Sequence, residues 1–302
     1  MTRSFFLYLS QRPGLRRWME QSPMARKLTR RFIAGESAED ELAVCRELAA
    51  EGIFTTADHL GENITNLAEG VAARDAYLEM LNRIAEHKLP TTISLKLTAL
   101  GLDISEAAAV EHLSTLAARA GEIGSRVEID MEDTRYTETT IRIAEAVGRE
   151  TGCILVAIQA YLYRTPKDIE RLNEARVMVR LCKGAYIEPA TVALPLKADV
   201  DKAYMALATK LLDHGTHPAL GTHDPAMIEH ILKHVRERNI PPDRFEFEML
   251  HGVRRDLQRD LVRQGFHVRV YVPYGTQWYR YFMRRLAERP ANVWFLVKNL
   301  FR

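Results

Sequence analysis

The strongest constraint on the fold of this chain is an eightfold alternation between short β-rich segments and longer amphipathic segments. Segments rich in β-branched and apolar residues predict strands at 54–57, 92–98, 126–131, 154–160, 177–182, 219–222, 245–249 and 268–272. The helical spacing of apolar residues predicts helices that include 36–50, 67–86, 106–120, 138–152, 199–214 and 226–238. Eight strand-then-helix units in 302 residues favour an α/β fold, a (β/α)8 barrel of the TIM type, over a doubly wound sheet.

Several classes of protein are excluded by what the sequence lacks. No GxGxxG follows the first strand and no GxxxxGK[ST] occurs, so a nucleotide would not be bound in the Rossmann or P-loop manner. Three scattered cysteines, Cys45, Cys153 and Cys182, argue against a disulfide framework and a cysteine-rich zinc site. The net charge of +2 is too balanced to indicate a nucleic-acid partner. No apolar run approaches membrane-spanning length, and we expect a cytoplasmic protein.

The two ends of the chain differ in character from the predicted barrel. We divide the chain into a helical arm (1–50), the barrel (51–290) and a tail (291–302). Basic residues of the arm before residue 32 are opposed by Glu20 alone, and the tail contains the apolar run VWFLVKNLF. Such segments either pack on the barrel or contact an anionic membrane surface, which would place the protein on the inner face of the cell membrane. The sequence leaves both alternatives open, and the oligomeric state as well.

Side chains on the predicted strands alternate between apolar and polar, and in a barrel the second set faces the lumen. The predicted inward set is Ser94, Lys96, Thr98, Glu128, Asp130, Glu132, Gln159, Arg180, Glu246, Glu248, Arg269 and Tyr271. Buried charges are costly unless they are paired. The lumen therefore predicts a structural network, such as Lys96 with Asp130 and Arg269 with a glutamate, a bound ligand, or both.

Residues late in the strands lie where barrel enzymes place their chemistry. These residues are Lys96, Asp130, Gln159, Arg180, Thr222, Glu248 and Tyr271. Two turns suit an anionic cofactor: LCKGAY offers a lysine and a glycine, and THDP places Asp224 as the N-cap and Pro225 at the first helical position. Histidines at 59, 223 and 251 form neither HxH nor HExxH, so we expect no metal site. The inward Lys96 keeps a Schiff-base lyase or aldolase open as an alternative.

A helix is predicted after Thr276, directly beyond the eighth strand. Its spacing places Tyr281, Arg284, Arg285 and Glu288 on one face. The other face carries Tyr279, Phe282, Met283 and Leu286. Because the helix follows the last strand, we expect it to cross the mouth as a lid and to present its arginines to an anion.

The order of motifs along the chain resembles the proline dehydrogenase family, flavin-dependent barrels that oxidise L-proline. The motifs are ISLKLTALG, VEIDMED, IQAYLYR, RLCKGAY, GTHD, FEMLHG and YVPYG…YRYFMRRLAERPAN. The resemblance spans about residues 58–297, and the compact chain is similar to the monofunctional bacterial type. It implies an FAD cofactor, Δ1-pyrroline-5-carboxylate as the product and a membrane quinone as the electron acceptor. A barrel kept as a binding or regulatory module is a further alternative.

The resemblance also implies roles for individual residues. Asp130 and Arg180 would be catalytic, Arg180 near the flavin and Asp130 orienting Lys96 or assisting deprotonation. FAD would be held by Met131, Gln159, Arg180, Lys183, Gly184, Ala185, Thr222, His223, Glu248, His251 and Glu288. Proline would be bound by Lys96, Tyr186, Tyr271, Tyr281, Arg284, Arg285 and Glu62. Glu62 is either a residue that closes over the site or an exposed charge at the start of a helix.

Overall fold

Eight parallel strands close into a barrel in sequence order, with the eighth strand hydrogen-bonded to the first. The computed structural model describes residues 29–61, 64–279 and 281–283. The strands are β1 (Phe54–His59), β2 (Thr91–Leu95), β3 (Val127–Ile129), β4 (Ile154–Gln159), β5 (Met178–Cys182), β6 (Ala219–Gly221), β7 (Glu246–Leu250) and β8 (His267–Tyr274). The predicted barrel is confirmed, and each predicted strand overlaps an observed one.

Helices alternate with the strands and cover the outside of the barrel. They are α1 (Ala38–Ala50), α2 (Leu67–Glu86), α3 (Glu106–Glu122), α4 (Thr134–Thr151), α5 (Thr165–Glu174), α6 (Lys197–His214), α7 (Pro225–Arg238) and α8 (Arg255–Arg263). The short, highly charged helices α5 and α8 lie outside the predicted ranges. The boundaries of the proposed arm and tail stay a prediction, since residues 1–28 and 284–302 lie outside the described residues.

The helix that precedes the barrel occupies the place beside its last strand. α1 lies against β1 and β8 and buries Leu42, Cys45 and Leu48, the three residues whose spacing predicts this helix. Its start is a capping box, in which the Ser37 hydroxyl accepts from the Asp40 N–H and the Asp40 carboxylate accepts from the Ser37 N–H. α1 thus covers the junction between β1 and β8, where the barrel closes.

Several predicted strand ends differ from the observed ones, and those of β2 and β8 have a clear physical reason. β2 ends at Leu95, and a 3-10 helix at Leu97–Leu100 removes Thr98 from the strand. β8 runs beyond residue 272 to Tyr274 and contains Pro273. Proline is tolerated there because β8 pairs with β7 only as far as Tyr271, so Pro273 has a strand neighbour on the β1 side alone.

Charged side chains fill the lower part of the lumen and neutralise one another. The Glu246 carboxylate accepts from Arg269 Nε at 3.0 Å and also from Arg126. Arg126 Nη2 donates in addition to Glu128 Oε1 at 3.0 Å. The predicted pairing of Arg269 with a glutamate is confirmed, and all four side chains are buried. This layer lies below the mouth and is structural.

Removal of one carboxylate tests this network. Burial alone would raise the pKa of Glu246, but Arg269 and Arg126 hold that pKa well below its ordinary value. The stability from Glu246 is therefore present above the unfolded-state pKa and is lost as pH falls through the folded-state pKa. We expect Glu246→Ala to lower the unfolding free energy at pH 7 by about 3–5 kcal/mol, because two buried guanidinium groups lose their partner.

Urea denaturation measures this change, with Glu229→Ala on the exposed side of α7 as the control. The control should stay within about 0.5 kcal/mol of the parent. Equal stability of Glu246→Ala and the parent would contradict a structural role for the network.

Candidate functional site

Arg180 is the centre of the polar cluster at the C-terminal end of the barrel. It lies in β5, and its Nη1 atom donates to Glu128 Oε2 at 2.9 Å and to Glu248 Oε1 at 2.8 Å. Its Nη2 atom donates to Asp130. The guanidinium also lies 5.4 Å from the ring centroid of Tyr271. Strands β3, β5, β7 and β8 thus meet at one buried cation.

Asp130 joins this cluster to the residues nearer the mouth. It follows β3 directly and accepts from Tyr271 Oη at 2.7 Å and from Ser94 Oγ at 3.0 Å. Lys96 Nζ lies 3.7 Å from Asp130 Oδ2, which confirms the predicted pair. Burial alone would raise the pKa of Asp130, but Arg180 and Lys96 hold it below its ordinary value. Asp130 is therefore a firmly ionised carboxylate.

Glu248 differs from the other carboxylates of the lumen. Burial, with the neighbouring carboxylates of Glu128 and Glu246, raises the pKa of Glu248 to about 8, even though Arg180 lowers it. Its Oε2 atom is buried and has no hydrogen-bond partner among the described residues. Glu248 is thus the carboxylate that holds a proton at neutral pH.

The turn after β5 requires glycine. Gly184 has a φ of +126°, and a Cβ atom there would lie 2.4 Å from the ring of Tyr161. Lys183, one residue earlier, places Nζ at 2.7 Å from Asp201 Oδ1 and at 3.1 Å from Asp224 Oδ2. The lysine of this turn therefore lies between two carboxylates, so an anionic ligand would compete with them.

The turn after β6 has the predicted form. Asp224 is the N-cap of α7, with its side chain accepting from Ala226 N at 3.2 Å, and Pro225 is the first helical residue. His223 Nε2 accepts from Leu250 N at 2.9 Å and so ties this turn to the end of β7. Thr222, just before it, is buried.

Gln159 bridges two loops with its amide. Its Nε2 atom donates to the Glu132 carbonyl at 3.1 Å, and its Oε1 atom accepts from Ala185 N at 3.2 Å. Both ends of the amide contact protein, so Gln159 joins the loop after β3 to the loop after β5. Met131 is buried beside Glu132.

His251 is placed differently from the other predicted cofactor residues. It lines a cavity of about 650 Å³ that is bordered by α1 and the start of α8. Its lining includes Arg30, Arg31, Arg254 and Arg255. Burial lowers the pKa of His251 to about 4, so the ring is neutral, and its Nδ1 atom has no hydrogen-bond partner among the described residues.

The segment after β8 is helical at residues 278, 279 and 281–283. Tyr279, Phe282 and Met283 are buried, as their predicted apolar face requires. Tyr281, predicted on the opposite face, is also buried and belongs to the same apolar cluster as Tyr271. The described part of this helix therefore packs beside the mouth. Four predicted site residues lie outside the described residues: Glu62, Arg284, Arg285 and Glu288.

Some residues of the site were missed from the sequence. Arg126 lies two residues before Glu128, so both side chains point to the same face of the strand, which is the lumen. The alternation along this strand therefore predicts an inward Arg126. Thr56 and Thr92, which both donate to Glu128 Oε1, have no comparable signal because threonine suits either face of a strand. Glu188 contacts Thr134 across two loops, and no local pattern marks that pair.

Arginines bind the lumen carboxylates that could otherwise hold a metal ion. Glu128, Glu246 and Glu248 bring carboxylate oxygens within 4.8 Å of one another, a spacing that suits a cation. Each of these carboxylates, however, accepts a hydrogen bond from an arginine. Guanidinium groups thus occupy the place that a cation would take.

Among the described residues, no helix has the length and apolarity needed to span a membrane.

Known proteins have a similar sequence and fold. The sequence model of the family described as Proline dehydrogenase matches residues 42–298. Proline dehydrogenase 1 of Bacillus subtilis (strain 168) is 39% identical over 302 residues, which covers 100% of both chains. Proline dehydrogenase of Deinococcus radiodurans is 35% identical over 305 residues, which covers 99% of this chain and 98% of that protein.

A solved structure supports the same relationship. The crystal structure of proline utilization A (PutA) from Bdellovibrio bacteriovorus, inactivated by N-propargylglycine, matches with a TM-score of 0.81 and 25% sequence identity. The match covers 87% of this chain and 33% of that chain, so this chain corresponds to a third of the longer protein.

The pH dependence of stability tests the proton on Glu248. Because the folded-state pKa of about 8 exceeds the ordinary value of 4.5, only the unfolded state loses this proton between those values. Glu248 in the parent therefore lowers stability as pH rises from about 4.5 to about 8. Glu248→Gln, which mimics the protonated acid, should match the parent near the lower end of this window and exceed it by on the order of 5 kcal/mol beyond the upper end.

Urea denaturation at several pH values measures the difference. Glu246→Gln is the matched control and should be destabilised throughout, because Glu246 is ionised and bonded to two arginines. Parallel stability curves for Glu248→Gln and the parent would show that Glu248 is ionised in the folded protein.

Proposed function

The chain belongs to the proline dehydrogenase family, and we propose that it oxidises L-proline to Δ1-pyrroline-5-carboxylate with FAD as the hydride acceptor and a quinone as the next electron acceptor. The observation that carries the proposal is the convergence of Arg180, Asp130, Lys96 and Tyr271 at the C-terminal end of the barrel. A small zwitterionic substrate needs both cationic and anionic groups within a few ångströms, and this cluster supplies both.

The residues around the mouth fit an FAD molecule. Glu248 buries a polar atom without a partner among the described residues, and so does His251 in the separate cavity beside α1. The residues proposed to hold FAD are Met131, Gln159, Arg180, Lys183, Gly184, Ala185, Thr222, His223, Glu248, His251 and Glu288. When bound, FAD supplies the two-electron acceptor that the side chains lack.

Arg180 contributes a positive charge that is fixed before the reaction begins. Its guanidinium is held by Glu128, Asp130 and Glu248, so it does not need to reorient when negative charge develops beside it. Beside the cofactor, a preorganised cation would stabilise the negative charge that the acceptor gains with the hydride.

The carboxylate of proline would be bound by Lys96 together with Arg284 and Arg285. Arginine offers a planar pair of donors that matches a carboxylate. Tyr186, Tyr271 and Tyr281 would pack against the ring and exclude water. Glu62 would close the site from the loop after β1.

The proton on the proline amine must leave before hydride transfer, because an ammonium has no lone pair to stabilise the developing iminium. Asp130 is poorly suited to accept that proton, since Arg180 and Lys96 lower its pKa. We therefore assign Asp130 to the positioning of Lys96, Arg180 and Tyr271.

Electron transfer to a quinone completes the proposed cycle. The basic arm and the apolar tail are the proposed membrane contacts. The Schiff-base lyase is disfavoured, because that mechanism needs a neutral amine and Asp130 Oδ2 lies 3.7 Å from Lys96 Nζ and favours the ammonium form.

Spectroscopy tests the proposed reaction directly. The purified protein should be yellow with a flavin absorption spectrum, and the flavin band should bleach when L-proline is added without oxygen. Addition of a quinone should restore the band. A colourless protein that does not bind added FAD, or borohydride trapping of a substrate on Lys96, would contradict the proposal.

A lysine variant separates substrate binding from cofactor binding. Lys96→Met should raise the KM for proline about tenfold, because one charged contact to the carboxylate is lost, and should leave flavin content unchanged. The control is Lys202→Met, at a lysine whose side chain is 77% exposed, which should keep the parent KM. Loss of flavin with an unchanged KM would show that Lys96 serves the cofactor.

A further inference from the structure

The loop between β5 and α6 is long and irregular. Residues 183–196 have no regular helix or strand, and they include Tyr186. Ile187 is 77% exposed and Leu196 is 62% exposed, so these apolar side chains contribute little burial. Loops of this length without structure of their own are uncommon in compact domains. Polar contacts must therefore fix the loop.

The far half of the loop is paired with the segment after β4. Leu162 and Ala193 form an isolated β-bridge. Tyr163 N donates to the Val192 carbonyl at 3.1 Å, and Leu194 N donates to the carbonyl of Tyr161 at 2.8 Å. These backbone bonds hold residues 192–194, but they do not reach Tyr186.

The near half of the loop is held by side chains on either side of Tyr186. Before it, Ala185 N donates to Gln159 Oε1 at 3.2 Å. After it, Glu188 accepts from Thr134 N at 2.9 Å through Oε1 and from Thr134 Oγ1 at 2.8 Å through Oε2. The backbone of Tyr186 and Ile187 is thus held between two anchors.

The Glu188 contact is electrostatically favourable. Thr134 is the first residue of α4, and the helix N-terminus carries a partial positive charge. The N-cap residue Asp133 accepts from Arg135 N, so the Thr134 N–H is left for the carboxylate from the other loop. Both oxygens of Glu188 are used, which sets the direction of its side chain.

The contact links two halves of the candidate site. Thr134 directly follows the loop after β3, which carries Asp130 and Met131, whereas Glu188 lies two residues beyond Tyr186. We propose that Glu188 is a positioning residue, which holds Tyr186 over the mouth by binding the N-terminus of α4. This inference rests on the proposed function for the role of Tyr186, but the contact itself does not.

Kinetics of two variants test the role of Glu188. Glu188→Ala should raise the KM for proline about five- to twentyfold and change kcat no more than about twofold, because the chemistry of Arg180 and Asp130 is untouched. Glu188→Gln keeps an acceptor for the Thr134 N–H and should restore KM to within about threefold of the parent. Glu229→Ala, at an exposed glutamate of α7, should match the parent.

Hydrogen exchange gives a readout that does not depend on activity. In Glu188→Ala, amides of residues 184–188 should exchange about tenfold faster than in the parent, and amides of β5 should not change. If the parent fails to oxidise proline but the exchange result holds, the proposed function is wrong and the loop contact stands. If KM and loop exchange are both unchanged in Glu188→Ala, the inference about Glu188 is overturned.

Discussion

The structure depends on the neutralisation of charge inside a closed barrel. Barrel interiors are usually filled with branched apolar side chains, whereas this one places arginines and carboxylates out of contact with water. Each of these charges costs several kcal/mol unless its partner is held at hydrogen-bonding distance. Glu128 is the clearest case, because it is fully buried and binds Arg126 from below and Arg180 from above. It joins the structural layer of the lumen to the layer that forms the mouth.

This arrangement explains how the mouth obtains a fixed cation without a metal ligand set. Arg180 reaches the end of the lumen already bonded to Glu128, Asp130 and Glu248, and Asp130 in turn holds Lys96 and Tyr271. A substrate anion would meet groups that need no rearrangement. Burial together with this crowding of carboxylates raises the pKa of Glu248, whereas the pKa of Asp130 is held below its ordinary value by Arg180 and Lys96.

The loops above the barrel are joined to one another as well as to their own strands. Glu132 accepts from Thr98 Oγ1 at 2.8 Å, Gln159 bridges Glu132 and Ala185, and Glu188 binds Thr134. These contacts connect the loops after β2, β3 and β5 along one side of the mouth, with Gln159 at the end of β4 between the last two. The proposed substrate tyrosine at 186 therefore lies on a loop that is hydrogen-bonded to the loop that carries the half-buried Asp130.

The sequence by itself determined the barrel and most of the residues that enter its lumen, since both follow from the local alternation of side chains along each strand. It also determined the N-cap at Asp224. Only the tertiary structure decided which side chains form hydrogen-bonded pairs. Arg180 and Glu248 are 68 residues apart, and Thr134 and Glu188 are 54 apart. Such pairs depend on the register between strands and on the path of loops, which no local pattern encodes. The proton on Glu248 is decided in the same way, because its pKa depends on burial and on neighbours from other strands.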